Sequence, residues 1–376
     1  LSWPAELRAA RREEVDGAAE RAVAAALAAE ADALLVPGDL WDAESVPPAS
    51  IHRMLEALAS FAPRPVFVAP GNHDFVGAGG WYDASVLAAL GMRTWPENVH
   101  VFRTEEWTAT PFPGRPDVTV VGRAFLSPLM KAARPLASPP PRPATPYALL
   151  LFHGSYETYG GPDAPHGAKL TAPFSREELL AAGFTWTALG HHHHVETVDD
   201  DDGISRAAYS GCPTGRGFDE TGPRFFLKVT LDGPSKTEVE LLPADARTIR
   251  DLTLDVGEEP RDLLERAAAL LGTERVSSDD IVRLTLTGVQ VYGARPSAVL
   301  APLTSRVAHL VLRDRTTRPS HGELPGLETA EGRFVNDLLA RREQPDANLA
   351  LLDLALRLGR DALTGRALAP PELEEM

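Results

Sequence analysis

Four short polar segments combine aspartate, asparagine and histidine at the ends of apolar runs. They are Gly38-Asp39-Leu40-Trp41-Asp42, Gly71-Asn72-His73-Asp74, Phe152-His153-Gly154 and Gly190-His191-His192-His193. Their side chains offer oxygen and nitrogen donors without a thiolate. Imidazole with carboxylate suits Mn, Fe or Zn, whereas Mg and Ca favour shells made of oxygen alone. The segments therefore predict a divalent-metal site.

The segments differ in how strongly each one indicates a metal. Pro-Gly-Asp is a common turn, and a lone histidine such as His153 can equally belong to a core. Asn72-His73-Asp74 carries more weight, because this sequence gives no packing reason to end an apolar strand. The run 191–194 resembles a purification tag only in composition, since it lies in the middle of the chain.

Apolar runs and turn residues predict the elements that position these segments. A helix is expected over 12–30 and a strand over 33–36, followed by a second helix at 49–61 and a strand at 66–69. Each strand ends at Pro-Gly. Such alternation predicts a layered α/β domain, in which loops at the carboxyl ends of strands build the site.

Later segments predict mainly strands and then a second unit. Further strands are expected at 99–102, 118–121, 147–152, 185–189, 225–231 and 237–242, with a hairpin at 195–198 and 206–210. We expect a catalytic domain over 1–245, a small α/β capping domain over 246–320 and a helical tail over 321–376.

Composition narrows the functional class. The 376 residues carry a formal charge of -16, whereas a protein that coats nucleic acid is usually basic. Bound divalent metals could nevertheless supply the positive charge that a nuclease needs. The single cysteine, Cys212, excludes an internal disulfide framework. No apolar run of membrane-spanning length and no signal-peptide pattern is visible, so a cytoplasmic protein is expected.

In this order the four segments resemble the calcineurin-like metallophosphoesterase family, whose pattern is GD-x-x-D, GNHD, a lone histidine after a strand, and GH-x-H. Tyr209-Ser-Gly-Cys-Pro and the later 217–220 segment are similar to the DNA-repair exonuclease branch of SbcD and YhaO type. The resemblance implies a four-layer α/β/β/α sandwich with two divalent metals, Mn first, at one rim.

The resemblance also implies a ligand set. Asp39 would bridge both metals. Asn72, His153 and His191 would complete the shell of one metal, and His193 would bind the other.

The remaining implied roles concern the substrate. His73 would face the scissile phosphate, with Asp74 orienting its ring. Arg123, Arg216 and Arg224 are candidates for substrate contact, and Cys212 is expected to be structural.

One motif of the family is missing from this sequence. The family opens with a strand carrying Asp-x-His, which supplies two ligands to the metal served by His193. The only aspartates before Asp39 are Asp16 and Asp32, and neither is followed by x-His. We expect a full-length form to carry this motif upstream of Leu1. Without the motif, one metal keeps four ligands and the other keeps only Asp39 and His193, so we expect a one-metal or inactive protein.

The leading interpretation is a metal-dependent phosphodiesterase that hydrolyses DNA as a repair exonuclease. A phosphatase or small-nucleotide phosphodiesterase on the same scaffold is the alternative, and the acidic charge favours it mildly. A third is a non-catalytic partner of an SMC-like ATPase of the SbcC or YhaN type. The helical tail would be the docking element for such an ATPase, and a homodimer is a further expectation from the family. Exonuclease and endonuclease activity are not distinguished by sequence.

Overall fold

The structure, a computed structural model, describes residues 3–42, 46–92, 94–128, 134–161, 170–233, 236–256, 263–288, 300–317, 328–344 and 347–363. The chain divides into two compact units, Leu1–Ile249 and Arg250–Met376. The predicted capping domain and helical tail both fall largely in the second unit.

Helices flank the start of the first unit. They are α1 (Ala5–Asp16), α2 (Ala18–Ala28), α3 (Pro48–Ala59) and α4 (Ala84–Ala89). The prediction of a single helix over 12–30 is wrong, because the helical conformation is interrupted at Gly17 between α1 and α2. Glycine is a poor helix former, and a Cβ at Gly17 would lie 3.2 Å from both the Glu13 carbonyl oxygen and the Arg53 guanidinium.

The first sheet has three parallel strands in the order β1 (Leu34–Val36), β2 (Val66–Val68) and β3 (Val99–Val101). In the part of the chain that the structure describes, β1 pairs on one side only, with β2. The expectation of a further strand upstream of Leu1 stays a prediction.

The second sheet has six strands in the order β4-β5-β6-β7-β9-β8. They are β4 (Thr108–Phe112), β5 (Arg115–Gly122), β6 (Tyr147–His153), β7 (Trp186–Gly190), β8 (Glu196–Asp199) and β9 (Ser205–Tyr209). The central strands run parallel, and β4 and β8 close the edges in antiparallel pairing. The sequence did not predict β4, whose threonines and proline are mostly exposed.

Alternating side chains of the strands build three apolar layers. One face of the first sheet packs Val66 and Val68 against the helices, including Ile51 of α3. Between the two sheets, Phe67 meets Leu151. On the far side of the second sheet, Leu150 and Phe152 pack with Leu179 of α5 (Arg176–Ala181). Neighbouring strand residues point to opposite faces, so this arrangement confirms the predicted α/β/β/α sandwich.

The first unit ends in an antiparallel hairpin of β10 (Phe225–Leu231) and β11 (Thr237–Pro243). The second unit has a sheet in the order β12 (Ile249–Asp255), β13 (Ile281–Thr287) and β14 (His309–Asp314), which packs with α6 (Leu263–Thr273). Helices α7 (Ala330–Arg342) and α8 (Leu349–Leu363) form a separate apolar contact. No helix in the described ranges is long and apolar enough to cross a membrane.

Candidate metal centre

The predicted ligands lie at the carboxyl ends of parallel strands of both sheets. Asp39 follows β1, Asn72 follows β2, His153 is the last residue of β6, and His191 comes directly after β7. Strands β6 and β7 pair His153 with Gly190, so the two histidines are one register step apart. Ligand atoms of Asp39, His153 and His191 lie within 4.8 Å of one another. The structure thus brings together residues that are up to 152 positions apart in sequence (191 minus 39).

The ring of His153 is fixed by the backbone of the loop after β1. Its Nδ1 lies 3.0 Å from the carbonyl oxygen of Pro37. A carbonyl only accepts, so Nδ1 carries the proton and donates. In the neutral ring Nε2 then has a lone pair, which is the state that a metal ligand requires.

Acceptor atoms converge where that lone pair points. The Nε2 of His153 lies 3.0 Å from Asn72 Oδ1 and 3.3 Å from Asp39 Oδ2. Two acceptor oxygens thus face one imidazole nitrogen, an arrangement that a shared proton or a metal cation stabilises. The donor set therefore fits a divalent ion of the Mn, Fe or Zn type.

Strained backbone accompanies this convergence. Asp39 has φ 54° and His191 has φ 117°, both in the region that favours glycine. Such conformations cost on the order of 1–3 kcal/mol each and persist where the surroundings hold them, often at functional sites. Gly71 allows the close approach, because a Cβ there would lie 2.4 Å from Asp39 Oδ1. The backbone conformations at Asp39, Gly71 and His191 thus bring the predicted ligands close together.

Asp74 holds the two motif loops together. Its fully buried carboxylate accepts bonds from the backbone N–H of Asp39 (2.9 Å), Leu40 (3.1 Å) and Gly71 (2.6 Å) and from the Tyr82 hydroxyl (2.7 Å). Burial and the nearby Asp39 carboxylate raise the pKa of Asp74, and these hydrogen bonds oppose the rise.

This position corrects the role expected for Asp74. The resemblance implied that it orients the ring of His73, but its oxygens instead bind the loop backbone and Tyr82. The side chain of His73 is exposed at the site, and its backbone N–H donates to Asp39 Oδ1 at 3.0 Å. His73 is therefore placed beside Asp39 through the backbone.

A second group of donors surrounds His193. Its Nδ1 lies 2.8 Å from Oε1 of the buried Glu220, which directs the other ring nitrogen away from the carboxylate. Burial alone would raise the pKa of Glu220, but hydrogen bonds from His193 and Arg216 hold it well below its usual range. Ligand atoms of His193, Cys212 and Glu220 lie within 4.8 Å of one another.

The alternating histidines of this run face different surroundings. The ring of His192 is buried and stacks on Tyr159 with 3.6 Å between centroids. The Nε2 of His194 lies 3.4 Å from the guanidinium of Arg224. His191 thus belongs to the donor group of Asp39 and His193 to that of Glu220, whereas His192 and His194 contact Tyr159 and Arg224.

The three predicted substrate arginines have separate environments. Arg123 lies 3.7 Å from Glu105 and over the Trp107 ring. Arg216 pairs with Glu220 at 2.8 Å and is exposed. Arg224 is buried and donates to the carbonyl oxygen of His193 at 2.6 Å. Their contact with substrate stays a prediction.

Three contributors to the site were missed by the sequence analysis. They are the Pro37 carbonyl, the Tyr82 hydroxyl and the Glu220 carboxylate. Glu220 lies in the 217–220 segment, which the sequence connects to the exonuclease branch only by resemblance. No pattern in a single sequence relates Glu220 to His193, which lies 27 residues away.

The comparisons agree with this geometry. The family described as calcineurin-like phosphoesterase matches residues 15–195. Residues 15–195 therefore form a calcineurin-like metallophosphoesterase domain, and such a domain is a metal-dependent phosphoester hydrolase.

One curated relative is the uncharacterized metallophosphoesterase YhaO of Bacillus subtilis (strain 168). It is 27% identical over 217 residues, covering 54% of this chain and 47% of the relative. The match thus spans about half the length of each protein.

Proposed function

We propose that this chain is a cytoplasmic phosphodiesterase that hydrolyses DNA with the help of bound divalent metal, Mn first. The observation that carries the hydrolytic chemistry is the convergence of lone pairs from Asp39, Asn72 and His153 beside His191. When bound there, divalent ions supply Lewis acidity and lower the pKa of a water molecule.

The residues of the chain have distinct tasks in this proposal. Asp39, Asn72, His153 and His191 hold one ion. The fixed Nδ1 proton of His153 keeps its ring in the binding tautomer. His73, exposed beside Asp39, is placed to give a proton to the leaving oxygen.

Two features support DNA as the substrate. The sequence resembles the DNA-repair exonuclease branch, and the phosphoesterase domain is followed by a further unit, Arg250–Met376, that a small ester does not require. In the same proposal, α7 and α8 contact an SMC-like ATPase. Leu351 and Leu363 of α8 are 61% and 48% exposed, which supports a docking role.

The proposal is tested by Mn-dependent digestion of end-labelled linear DNA, with bis(p-nitrophenyl) phosphate alongside. Wild-type chain should cut both substrates, and His73→Ala should lose most activity on DNA while keeping its bound metal. Cleavage of the small ester alone would favour a small-substrate phosphodiesterase. Cleavage of neither substrate by a metal-loaded chain would refute the proposal.

A further inference from the structure

A cavity of about 300 Å³ lies in the first unit, outside the predicted ligand set. We call it the Trp3 cavity; its lining residues are Trp3, Arg8, Arg216, Gly217, Phe218 and Asp219. Its volume is at the lower end of the range for small-molecule sites, which is roughly 300–1,000 Å³. The space therefore suits a ligand of about the size of one nucleotide.

Two arginines supply hydrogen-bond donors to this cavity. The guanidinium of Arg8 makes no ion pair or hydrogen bond within the described ranges. Arg216 binds Glu220 through Nε and Nη2, which leaves Nη1 directed elsewhere. The guanidinium groups of Arg8 and Arg216 therefore suit an anionic ligand with several hydrogen-bond acceptors.

The charge of the lining agrees with that requirement. Two arginines and one aspartate line the cavity, and Glu220 pairs with Arg216, so Arg8 is the lining cation without a carboxylate partner in the described ranges. Asp219 adds a carboxylate, whose oxygens can accept a hydrogen bond from a ligand hydroxyl. A phosphate ester with a sugar hydroxyl meets both conditions.

Aromatic surface completes the chemistry. Trp3 and Phe218 both line the cavity, and Phe218 is 8% exposed. Bases stack on such rings without regard to sequence, and arginine neutralises the adjacent backbone phosphate.

The cavity is tied to the metal centre and is held in place. Arg216 Nη2 lies 2.8 Å from Glu220 Oε1, and that oxygen lies 2.8 Å from Nδ1 of His193. Helix α1 contacts the loop that carries Arg216, because Arg11 of this helix donates to the Gly215 carbonyl oxygen. The Glu220 carboxylate thus lies between Arg216 in the cavity wall and His193, a predicted metal ligand.

We propose that the Trp3 cavity binds one nucleotide unit of a polynucleotide substrate. The phosphate lies on Arg8 and Arg216, and the base packs against Trp3 and Phe218. This inference rests on the proposed function, since it assigns a subsite for the same DNA substrate.

The test measures binding of a fluorescently labelled thymidine oligonucleotide to the full chain by anisotropy, in EDTA so that no cleavage occurs. Arg8→Gln should weaken binding about fivefold and lower the salt dependence by about one counterion. Trp3→Leu should weaken it about five- to tenfold through lost stacking. Arg12→Gln is the matched control, because Arg12 is exposed on the same helix and does not line the cavity.

Three results would overturn the assignment. They are wild-type affinity in both cavity variants, equal loss in Arg12→Gln, and no oligonucleotide binding by the wild-type chain. Free thymidine monophosphate and inorganic phosphate serve as competitors; if either displaces the oligonucleotide at equal concentration, the site takes a free anion instead of a polynucleotide.

Hydrolysis of bis(p-nitrophenyl) phosphate separates the two proposals. It should be unchanged in every cavity variant. If the wild-type chain cuts DNA and Arg8→Gln cuts it with the same KM, the cavity proposal fails while the proposed function stands. If the wild-type chain cuts only the small ester, the DNA function fails.

Discussion

Replacing Tyr82 with phenylalanine isolates one hydrogen bond that supports the metal centre. The hydroxyl donates to Asp74 Oδ2 at 2.7 Å, and both side chains are at most 1% exposed. The ring also packs on Trp41 and Trp95, with centroids 4.8 and 5.1 Å away, and phenylalanine keeps these contacts. The substitution therefore removes the donor with almost no change in volume.

The size of the effect follows from this geometry. A hydrogen bond to a charged group contributes about 1.5–3 kcal/mol, and loss of a buried donor also leaves its acceptor less satisfied. Asp74 keeps its three backbone donors, so its buried carboxylate still accepts hydrogen bonds in the variant. We expect Tyr82→Phe to lower the free energy of unfolding of the first unit by about 2 kcal/mol.

Urea unfolding followed by tryptophan fluorescence measures this change. All six tryptophans precede residue 187, so the signal reports the first unit and not Arg250–Met376. Tyr156→Phe is the matched control, because the Tyr156 hydroxyl donates no bond within the described residues, and it should change stability by less than about 0.5 kcal/mol. A loss below that value in Tyr82→Phe would refute the supporting role assigned to this bond.

Three further predictions test the surroundings of the ligands. Glu220→Gln should weaken metal binding at His193 by about 10–100-fold without unfolding the chain, as measured by calorimetric titration, because it removes the charged partner of Nδ1; unchanged affinity would contradict it. Burial and the Glu220 carboxylate raise the pKa of Cys212 to about 11, so alkylation at pH 8 should be about 100-fold slower in the folded chain than in urea, and equal rates would contradict this. Gly190→Ala places a Cβ 1.9 Å from the Pro37 carbonyl oxygen. It should cost about 1–3 kcal/mol in the urea assay, whereas Gly160→Ala, with open space around it, should not.

Much of the scaffold follows from local patterns. Strands predicted at 66–69 and 147–152 are observed at Val66–Val68 and Tyr147–His153, because their continuous apolar residues fit a parallel sheet that is buried on both faces. The Ser-x-x-Glu pattern at Ser175 is a local helix-start signal, and the cap forms with both of its hydrogen bonds. These signals are local, so a single sequence contains them.

Other features depend on contacts between distant segments. The break at Gly17 follows the low helix propensity of glycine, and Arg53 of a later helix crowds the space that a side chain at this position would need. Asp74 was predicted at the site, but its partners come from the β1 loop and from Tyr82, and no periodicity connects them. The strand β4 is stabilised by pairing with β5 and not by its own apolar pattern. The periodicity of apolar residues in one segment does not predict which distant segment it contacts.

The central claim is that the converging lone pairs of Asp39, Asn72 and His153 hold a catalytic divalent ion. The most direct measurement compares bound Mn and hydrolysis of bis(p-nitrophenyl) phosphate in the wild-type chain and His153→Ala. We predict that the variant stays folded but loses Mn affinity by more than the roughly 10–100-fold that follows loss of a ligand's hydrogen-bond partner, and loses hydrolysis with it. Wild-type metal content and activity in His153→Ala would contradict the account.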